Sequence, residues 1–313
     1  MECVIIIAGP TASGKTGLAV ELAKDIDGEV ISADSMQIYK HMDIGTAKPS
    51  AEEMGGIKHY LIDEIFPNEP FSVASYKELA LKYISEVLKK GKTPVVAGGT
   101  GLYINSLAYN LNFSETVTDW ELRERLSREA ETKGNIFLHE RLKKIDPEAA
   151  KEIHPNNVKR VIRAIEVYQH TKKTISQHKD MSRSIPPEYR FIIIGLMLDR
   201  QELYERIDKR VDIMIEKGIV EEVKGLINMG YDKSTIAMQA IGYKEILSHI
   251  KGEISFEEAV YAIKKGTRNY AKRQMTWFKR LENVHWVEVG RHKSICEIVK
   301  NIKYHIASYG IFL

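Results

Sequence analysis

The segment Gly9 to Thr16, GPTASGKT, has the residue types and the spacing of a phosphate-binding loop. It fits G-x-x-x-x-G-K-[ST], with an apolar run from Cys3 to Ala8 before it and a helical pattern after it. Glycines let backbone N–H groups curl around phosphate oxygens, and a helix N-terminus adds a favourable dipole. Lys15 would reach the terminal phosphates, and Thr16 would offer its hydroxyl to Mg²⁺. The predicted loop residues are Gly9, Pro10, Thr11, Ala12, Ser13, Gly14, Lys15 and Thr16.

Two further polar side chains follow predicted strands. Asp34 ends the strand pattern EVISADS, and Thr100 lies in a glycine-rich turn after the buried run Pro94 to Ala97. Ligands bind beyond the carboxyl ends of the strands in open α/β sheets, so both should line one crevice with the phosphate loop. Asp34 could accept a proton from a hydroxyl or an amine, or it could be an N-cap or contact Mg²⁺ through water. Thr100 could donate a hydrogen bond to a phosphate or a leaving oxygen, or it could cap the following helix.

The apolar strand TPVVAGG ends in glycines, where motor and switch NTPases carry an aspartate that helps to hold Mg²⁺. This absence disfavours a helicase, a GTPase or an ABC-type ATPase. The phosphate group bound by the loop is therefore predicted to belong to a substrate that undergoes group transfer.

The elements around these residues alternate between strand and helix at first, which predicts a parallel α/β sheet of the P-loop NTPase type. The pattern then becomes charged and helical until Pro186-Pro187, after which Arg190 to Leu198 is a fully apolar strand. We predict a P-loop core over residues 1–116 and 186–313, with C-terminal helices and a late strand, Val284 to Val289. Residues 117–185 would form a helical insertion.

Composition is that of an ordinary globular protein of 313 residues with a net charge of +3. No apolar run approaches the ~20 residues of a membrane span. The N-terminus resembles a core strand rather than a signal peptide. Two cysteines, Cys3 and Cys296, lack metal-ligand spacing, so we expect a cytoplasmic protein without a zinc site.

Two basic segments could contact a nucleic-acid backbone. The first, Lys264 to Arg280, contains seven basic residues and no acid, with Tyr270, Trp277 and Phe278 between them. The aromatic rings are expected in the core, and the charges are expected at phosphates. The second is VKRVIRAIEVYQHTKK in the insertion. The acidic run Glu216 to Glu222 is predicted to be a solvated helix face.

Several strings in this order resemble the tRNA dimethylallyltransferases, also called isopentenyl-tRNA transferases. They are GPTASGKT, ADSMQIYKHMDIGTAKP, VAGGTGLYI, IHPNNVKRVIRAIEV, RVDIMIEKGIVEEV, QAIGYKE and TRNYAKRQMTWF. The similarity is collinear over nearly the whole chain. The chain lacks the zinc-finger extension of some eukaryotic relatives, which favours a bacterial-type member.

The resemblance implies transfer of a dimethylallyl group from its diphosphate to the exocyclic N6 amine of the adenosine 3′ of the tRNA anticodon. It makes Asp34 the general base, with Thr100 and Arg210 at the reacting centre and Mg²⁺ at Thr16. It makes the insertion a clamp on the anticodon stem-loop, in a protein expected to be a monomer. The tRNA-contacting positions that it implies are Asp34, Ser35, Met36, Gln37, Thr100, Arg123, Lys159, Arg160, Val161, Ile162, Arg163, Gln239, Ala240, Ile241, Gly242, Tyr243 and Lys244.

Two other functions remain compatible with the phosphate loop. A nucleoside or nucleotide kinase shares the P-loop core and an inserted lid, and it would use Asp34 to activate a hydroxyl. An RNA-binding ATPase would use the basic segments without group transfer to RNA.

Overall fold

The computed structural model describes residues 2–111, 119–183, 185–292 and 294–311. The chain divides into two compact units. Unit 1 comprises Met1–Asn105 and Tyr189–Leu313, and unit 2 comprises Ser106–Glu188. The predicted boundary at residue 116 lies outside the described residues, so the predicted domain limits are not tested there.

Unit 1 contains a parallel sheet of six strands in the order β3-β2-β4-β1-β5-β6. The strands are β1 Cys3–Ala8, β2 Gly28–Ser32, β3 His59–Tyr60, β4 Thr93–Gly98, β5 Arg190–Met197 and β6 Val284–Glu288. This confirms the predicted α/β fold, including the return of the chain to the sheet at Arg190. The predicted strand around Glu29 ends at Ser32, three residues earlier than expected, because the chain turns at Asp34.

Helices connect the strands and build unit 2. They are α1 Lys15–Asp25, α2 Ala51–Met54, α3 Val73–Lys89, α4 Gly101–Ala108, α5 Trp120–Lys133, α6 Asn135–Ile145, α7 Pro147–Glu152, α8 Val158–Thr171, α9 Ile175–Arg183, α10 Arg200–Glu216, α11 Ile219–Asn228, α12 Tyr243–Ile250, α13 Phe256–Phe278 and α14 Ile295–Ala307. Two short 3₁₀ turns, Ala237–Gln239 and Val289–Arg291, complete the described elements. Within the described ranges, no helix combines the length and the apolar character that a membrane span requires.

The sheet is buried on both faces, as continuous apolar strands predict. Ile5 and Ile7 of β1 pack in a core with Leu18 and Leu22 of α1 and with residues of α14. Side chains alternate along a strand, so Ile6 points to the opposite face, and it is fully buried as well. This arrangement fixes β1 in the middle of the sheet and therefore fixes the loop that follows it.

Unit 2 is helical in all of its described elements, and it has a separate core built from one face of each helix. Leu122 and Leu126 of α5 pack with Leu138 and Leu142 of α6 and with Val161 of α8 in that core. Aspartates begin two of its helices: the Asp119 side chain accepts from the Leu122 amide, and the Asp146 side chain accepts from the Ala149 amide. Capping of this kind typically stabilises a helix by about 1 kcal/mol.

Candidate active site

The loop between β1 and α1 has the shape that its sequence predicts. Gly14 adopts the left-handed conformation, with φ of 87°, immediately before α1 begins at Lys15. Ala12 is also left-handed, and the Ser13 amide donates to the Pro10 carbonyl at 3.3 Å. The first amides of α1 have no intrahelical acceptors, so the loop presents N–H groups and the positive end of a helix dipole to an anion.

Two cationic side chains that are far apart in sequence meet at this loop. Lys15 Nζ donates to the Pro10 carbonyl at 2.6 Å, and Arg210 of α10 donates to Thr11 Oγ1 at 3.3 Å. Burial, with the positive charge of Arg210, lowers the pKa of Lys15 to about 7, although Asp34 opposes the shift. Burial also lowers the pKa of Arg210. Both side chains are therefore poorly solvated cations that an anionic ligand would stabilise.

The phosphate loop opens into a crevice of about 780 Å³. Asp34, Gly98, Gly99 and Arg210 line it together with Thr11 to Gly17. The carboxyl ends of β1, β2 and β4 therefore meet at one cavity, as the strand pattern predicts. Residues 43–50, which follow the Asp34 turn, form another part of its lining.

Asp34 is both a turn residue and a candidate base. Its Oδ1 accepts from the Met36 amide at 2.8 Å and from the Gln37 amide at 3.4 Å. This oxygen therefore caps a turn and not a helix, since no helix begins in the described stretch between β2 and α2. Its Oδ2 makes no hydrogen bond to the described residues, so it can accept a proton from a ligand in the crevice.

Thr100 holds the Asp34 segment in place. Its Oγ1 accepts from the Ser35 amide at 3.1 Å, and its own amide donates to the Ala33 carbonyl at 3.0 Å. Its carbonyl accepts from the Tyr103 amide in the first turn of α4. The Thr100 side chain thus joins the turn after β4 to the Asp34 turn. Thr100 is not among the residues that line the crevice, whereas the preceding Gly98 and Gly99 are, which differs from the prediction.

Sequence reasoning missed Gln274 and the structural role of Tyr270, both on α13. Gln274 Oε1 accepts from the Thr11 amide at 2.9 Å, and its Nε2 donates to the Gly99 carbonyl at 2.9 Å. Tyr270 lines the crevice together with Gln274, and burial followed by the charge of Asp34 raises the pKa of Tyr270 to about 12. The available signal was a glutamine one helical turn from a tyrosine within the motif TRNYAKRQMTWF.

The prediction that Glu216 to Glu222 forms a solvated face is wrong at Glu222. Its carboxylate accepts from the amides of Asp43, Ile44 and Gly45 at 2.9, 2.7 and 3.1 Å. The buried Tyr243 hydroxyl donates to the same carboxylate at 2.6 Å. An added Cβ at Gly45 would lie 2.5 Å from the Tyr243 ring, so only glycine fits this approach. Glu222 therefore anchors the wall of the crevice.

The positions that the resemblance implies for tRNA contact in unit 1 differ in accessibility. Ser35, Met36 and Gln37 are half-buried, and Gln37 Nε2 donates to the Ala47 carbonyl at 3.1 Å. Gln239 and Lys244 are exposed, and Ala240 and Ile241 are half-buried. Gly242 and Tyr243 are buried, so these two act through local packing rather than by side-chain contact with a large ligand.

Unit 2 separates its predicted tRNA positions into a surface set and an interior set. Lys159 and Arg160 are exposed, whereas Val161 and Ile162 are buried in the helical core and cannot present side chains to RNA. The set also includes Arg123 and Arg163, and both pair with the carboxylate of Glu166, which is fully buried. Burial would raise the pKa of Glu166, but hydrogen bonds from these two arginines outweigh it and lower the pKa.

The basic segment of α13 is also divided. Lys264 pairs with Asp212 at 2.6 Å, and Arg268 pairs with Asp208 at 2.6 Å, so these two charges bind α10. Lys272, Arg273, Lys279 and Arg280 are exposed. Phe278 is fully buried, as expected, but Trp277 is partly exposed.

A divalent cation would find few protein ligands here. Among the described residues, no group of three or more His, Cys, Asp or Glu side chains could hold a metal ion. At the phosphate loop, the hydroxyl oxygen of the exposed Thr16 could serve as a metal ligand. That set fits Mg²⁺, which retains several waters and takes its remaining ligands from substrate phosphates.

Comparison with known proteins places this geometry in a family. The family model described as IPP transferase matches residues 37–281. A tRNA dimethylallyltransferase of Acetivibrio thermocellus is 65% identical over all 313 residues and over its own full length. One from Thermoanaerobacter sp. is 54% identical over 306 residues, covering 97% of each chain.

Solved structures agree with the sequence relatives. A tRNA isopentenylpyrophosphate transferase of Staphylococcus epidermidis is 47% identical with a TM-score of 0.73, covering 98% of this chain and 100% of its own. A eukaryotic dimethylallyltransferase, described as acting on tRNA, is 28% identical with a TM-score of 0.82. The similarity covers 99% of this chain and 80% of that one.

Proposed function

Because this chain belongs to the IPP transferase family, we propose that it is a tRNA dimethylallyltransferase that moves a dimethylallyl group from its diphosphate to tRNA. The acceptor is the exocyclic N6 amine of the adenosine 3′ of the anticodon. One observation carries the proposal: an Asp34 oxygen with no hydrogen bond to the described residues belongs to a side chain that lines the same crevice as the phosphate loop.

The phosphate loop holds the diphosphate leaving group. Negative charge grows on the leaving oxygen as the C–O bond breaks, and Lys15 and Arg210 are positioned at the loop to oppose it. Because Lys15 has a pKa near 7 in the free protein, an incoming diphosphate raises that pKa and draws a proton onto the amine.

Asp34 acts on the attacking amine, whereas the phosphate loop acts on the leaving diphosphate. The N6 nitrogen forms a bond to the first carbon of the dimethylallyl group while the bond from that carbon to the diphosphate oxygen breaks. The electron pair of the broken bond leaves with diphosphate, and the proton of the amine passes to Asp34 Oδ2. The Met36 and Gln37 amides orient the carboxylate for this step.

Mg²⁺ is the proposed cofactor, and Thr16 would hold it beside the diphosphate. When bound, the ion would neutralise part of the diphosphate charge. Lys15, Arg210 and the amides of the loop supply the remaining positive field from the protein itself.

The tRNA partner is proposed to bind as an anticodon stem-loop, with the target base turned out of its stack into the crevice. Exposed Lys159 and Arg160 in the insertion, and Lys272 and Arg273 on α13, supply phosphate contacts. The clamp role of residues 117–185, the monomeric state and the cytoplasmic location remain part of the proposal.

The kinase alternative has no support from the relatives reported above, which are transferases acting on tRNA by name. The strand β4 also ends at Gly98 rather than at a carboxylate that could hold Mg²⁺ for a nucleoside triphosphate.

The test is a transfer assay with unmodified tRNA, labelled dimethylallyl diphosphate and Mg²⁺, with and without ATP. We expect label on the adenosine next to the anticodon and release of diphosphate without ATP. Asp34→Asn serves as the matched control, since it keeps an oxygen for the turn but cannot take the proton. Absence of transfer, or an obligatory need for ATP, would overturn the proposal.

A further inference from the structure

Helix α13 carries a buried polar side chain, Gln274, that connects two loops far from each other in sequence. We propose that Gln274 is a positioning residue that aligns the phosphate loop with Asp34 for the transfer step. This inference rests on the proposed transferase function and extends it to a residue that does not itself react.

The Gln274 amide forms a bridge between two loops. The Thr11 amide of the phosphate loop donates to Oε1, and Nε2 donates to the Gly99 carbonyl after β4, each at 2.9 Å. Gln274 is 5% exposed. Each end of a carboxamide has a different hydrogen-bonding role, so only one orientation of this side chain satisfies both loops. The bridge therefore fixes the separation and the rotation of the two loops together.

The second half of the connection runs from Gly99 to Asp34. The Oγ1 atom of Thr100, the next residue, accepts a hydrogen bond from the Ser35 amide, and the Thr100 amide donates one to the Ala33 carbonyl. These two bonds flank Asp34 on both sides. A displacement of Gln274 therefore reaches Asp34 through the Gly99 carbonyl, the peptide bond from Gly99 to Thr100 and the two hydrogen bonds of Thr100.

The Gln274 amide packs closely against the backbone of Gly99. A Cβ added to Gly99 would lie 2.3 Å from Gln274 Nε2, well inside van der Waals contact. The backbone of Gly99 does not adopt a left-handed φ, so an alanine there would act by displacing the Gln274 amide and not through backbone strain. A glycine at this position is thus a requirement of the bridge.

The chemistry needs this alignment because the leaving group and the base belong to different loops. The diphosphate is fixed by the loop after β1, and the amine proton is taken by the turn after β2. A misplacement of about 1 Å between such groups costs ~10²-fold in rate. Both polar ends of Gln274 are engaged by backbone groups, so it acts through the loops that it joins.

Gln274→Met is the first test, because it removes both hydrogen bonds at nearly constant volume. We expect kcat to fall ~10²-fold. The affinities for inorganic diphosphate and for the anticodon stem-loop, each measured without catalysis, should change little, because each half of the site remains intact. Gln201→Met on α10 is the matched control: it makes the same chemical change at an exposed residue outside the crevice, and we expect full activity.

Gly99→Ala tests the same bridge from the other side. Its Cβ displaces the Gln274 amide, so kcat should fall to a similar extent, again with both binding affinities retained. The double variant Gly99→Ala/Gln274→Met should be no slower than the slower single variant, because both changes break one interaction and their effects are not additive. Poor folding of either single variant leaves the other decisive.

Three results would overturn the inference while leaving the proposed function intact. They are a Gln274→Met enzyme with kcat near that of an active wild type, a loss of diphosphate affinity that matches the loss of rate, and multiplicative losses in the double variant. The second result would make Gln274 a ligand-binding residue. A wild-type protein without transfer activity would overturn the proposed function itself, and the inference with it.

Discussion

The crevice of unit 1 and the helical surface of unit 2 are built on different principles. Around the crevice, the buried Gln274 and the half-buried Glu222 bind backbone amides and carbonyls of distant loops. In unit 2 the interior is an apolar helical core with two buried carboxylates among the described residues, Asp146 and Glu166, and the candidate RNA-binding charges of Lys159 and Arg160 lie outside it.

The difference follows from what each region is proposed to do. A bond-making site must hold loops in register to a fraction of an ångström, so its polar groups are locked by bonds with a single geometry. A surface that binds a phosphate backbone gains affinity from charge density, and long exposed side chains can adjust to the ligand. Substitutions should therefore change turnover in the first region and salt-dependent affinity in the second.

The largest expected effect is at Asp34. Asp34→Asn keeps Oδ1 as acceptor for the Met36 amide but removes the base, so we expect kcat to fall ~10²–10⁴-fold with unchanged tRNA affinity. Asp34→Ala loses the turn as well and should also bind tRNA less well. Steady-state kinetics with a stem-loop substrate will measure both. An Asn variant as active as wild type would show that Asp34 serves the turn only.

The next effect concerns Lys15 and Arg210. Lys15→Met or Arg210→Ala should lower kcat/KM for dimethylallyl diphosphate by ~10²-fold, because each replaced side chain opposes negative charge on the leaving group. We expect kcat to fall and KM to rise. The pKa of Lys15 is about 7 in the free protein, so inorganic diphosphate should bind with proton uptake above that pH and with little uptake below it. Calorimetry in buffers of different ionisation enthalpy measures the uptake, and Lys15→Met should abolish it.

Lys15 also predicts a conflict between activity and stability. Its pKa is about 7 in the folded protein against an ordinary 10.5, so between these values the unfolded chain binds a proton that the folded chain does not. The contribution of Lys15 to stability therefore rises with pH across that interval. Lys15→Met should raise Tm at neutral pH while it inactivates the enzyme. A lower Tm would contradict the burial of an amine in the crevice.

These residues mark how far the sequence could predict the site. The phosphate loop and Asp34 were correctly placed at the crevice because each depends on local order: a motif between a strand and a helix, or a polar residue after a strand. Thr100 follows a strand in the same way, but it supports the Asp34 turn and does not line the crevice. Gln274 and Thr11 are separated by 263 positions, and no local pattern links them. Glu222 looked like a solvated charge because helical spacing says nothing about the loop amides that a carboxylate will meet.

The fold was more predictable than its interior details. Continuous apolar runs and turn residues indicate a parallel sheet without knowledge of individual side-chain contacts. The return of the chain to the sheet at β5 was therefore correctly predicted. In unit 2, Val161 and Ile162 were assigned to RNA contact with their neighbours because the resemblance covers a whole segment. Their burial follows from the period of α8, which turns alternate groups of residues inward.

A smaller effect is expected at Glu222. Glu222→Gln leaves one oxygen for the three amides of Asp43, Ile44 and Gly45, so we expect a loss of about 1–3 kcal/mol in unfolding free energy. The KM for tRNA should rise, since the crevice wall loosens. Thermal melts and kinetics measure the two effects. Glu221→Gln, at the exposed neighbouring position, is the matched control, and an equal effect there would remove the anchoring role.

The smallest effect should appear on the surface of unit 2. Arg160→Ala should weaken stem-loop binding and flatten its salt dependence by about one unit per lost phosphate contact, without a change in Tm. Arg163→Ala should lower Tm, because it leaves the buried Glu166 with fewer partners. Filter binding across a salt series and thermal melts separate the two outcomes. If both variants changed Tm and salt-dependent binding to the same extent, the proposed difference between Arg160 and Arg163 would be wrong.

The bond between Thr11 and Gln274 also bears on when the protein becomes an enzyme during its synthesis. A ribosome releases the chain from the N-terminus, so β1, the phosphate loop and the Asp34 turn emerge long before α13. The Thr11 amide must wait for a partner 263 residues away, and contacts of such long range form late. The nascent chain therefore carries the phosphate loop and Asp34 before Gln274 is present to align them. Competence arrives in one step, when α13 docks, and protection of the Thr11 amide from hydrogen exchange would date that step.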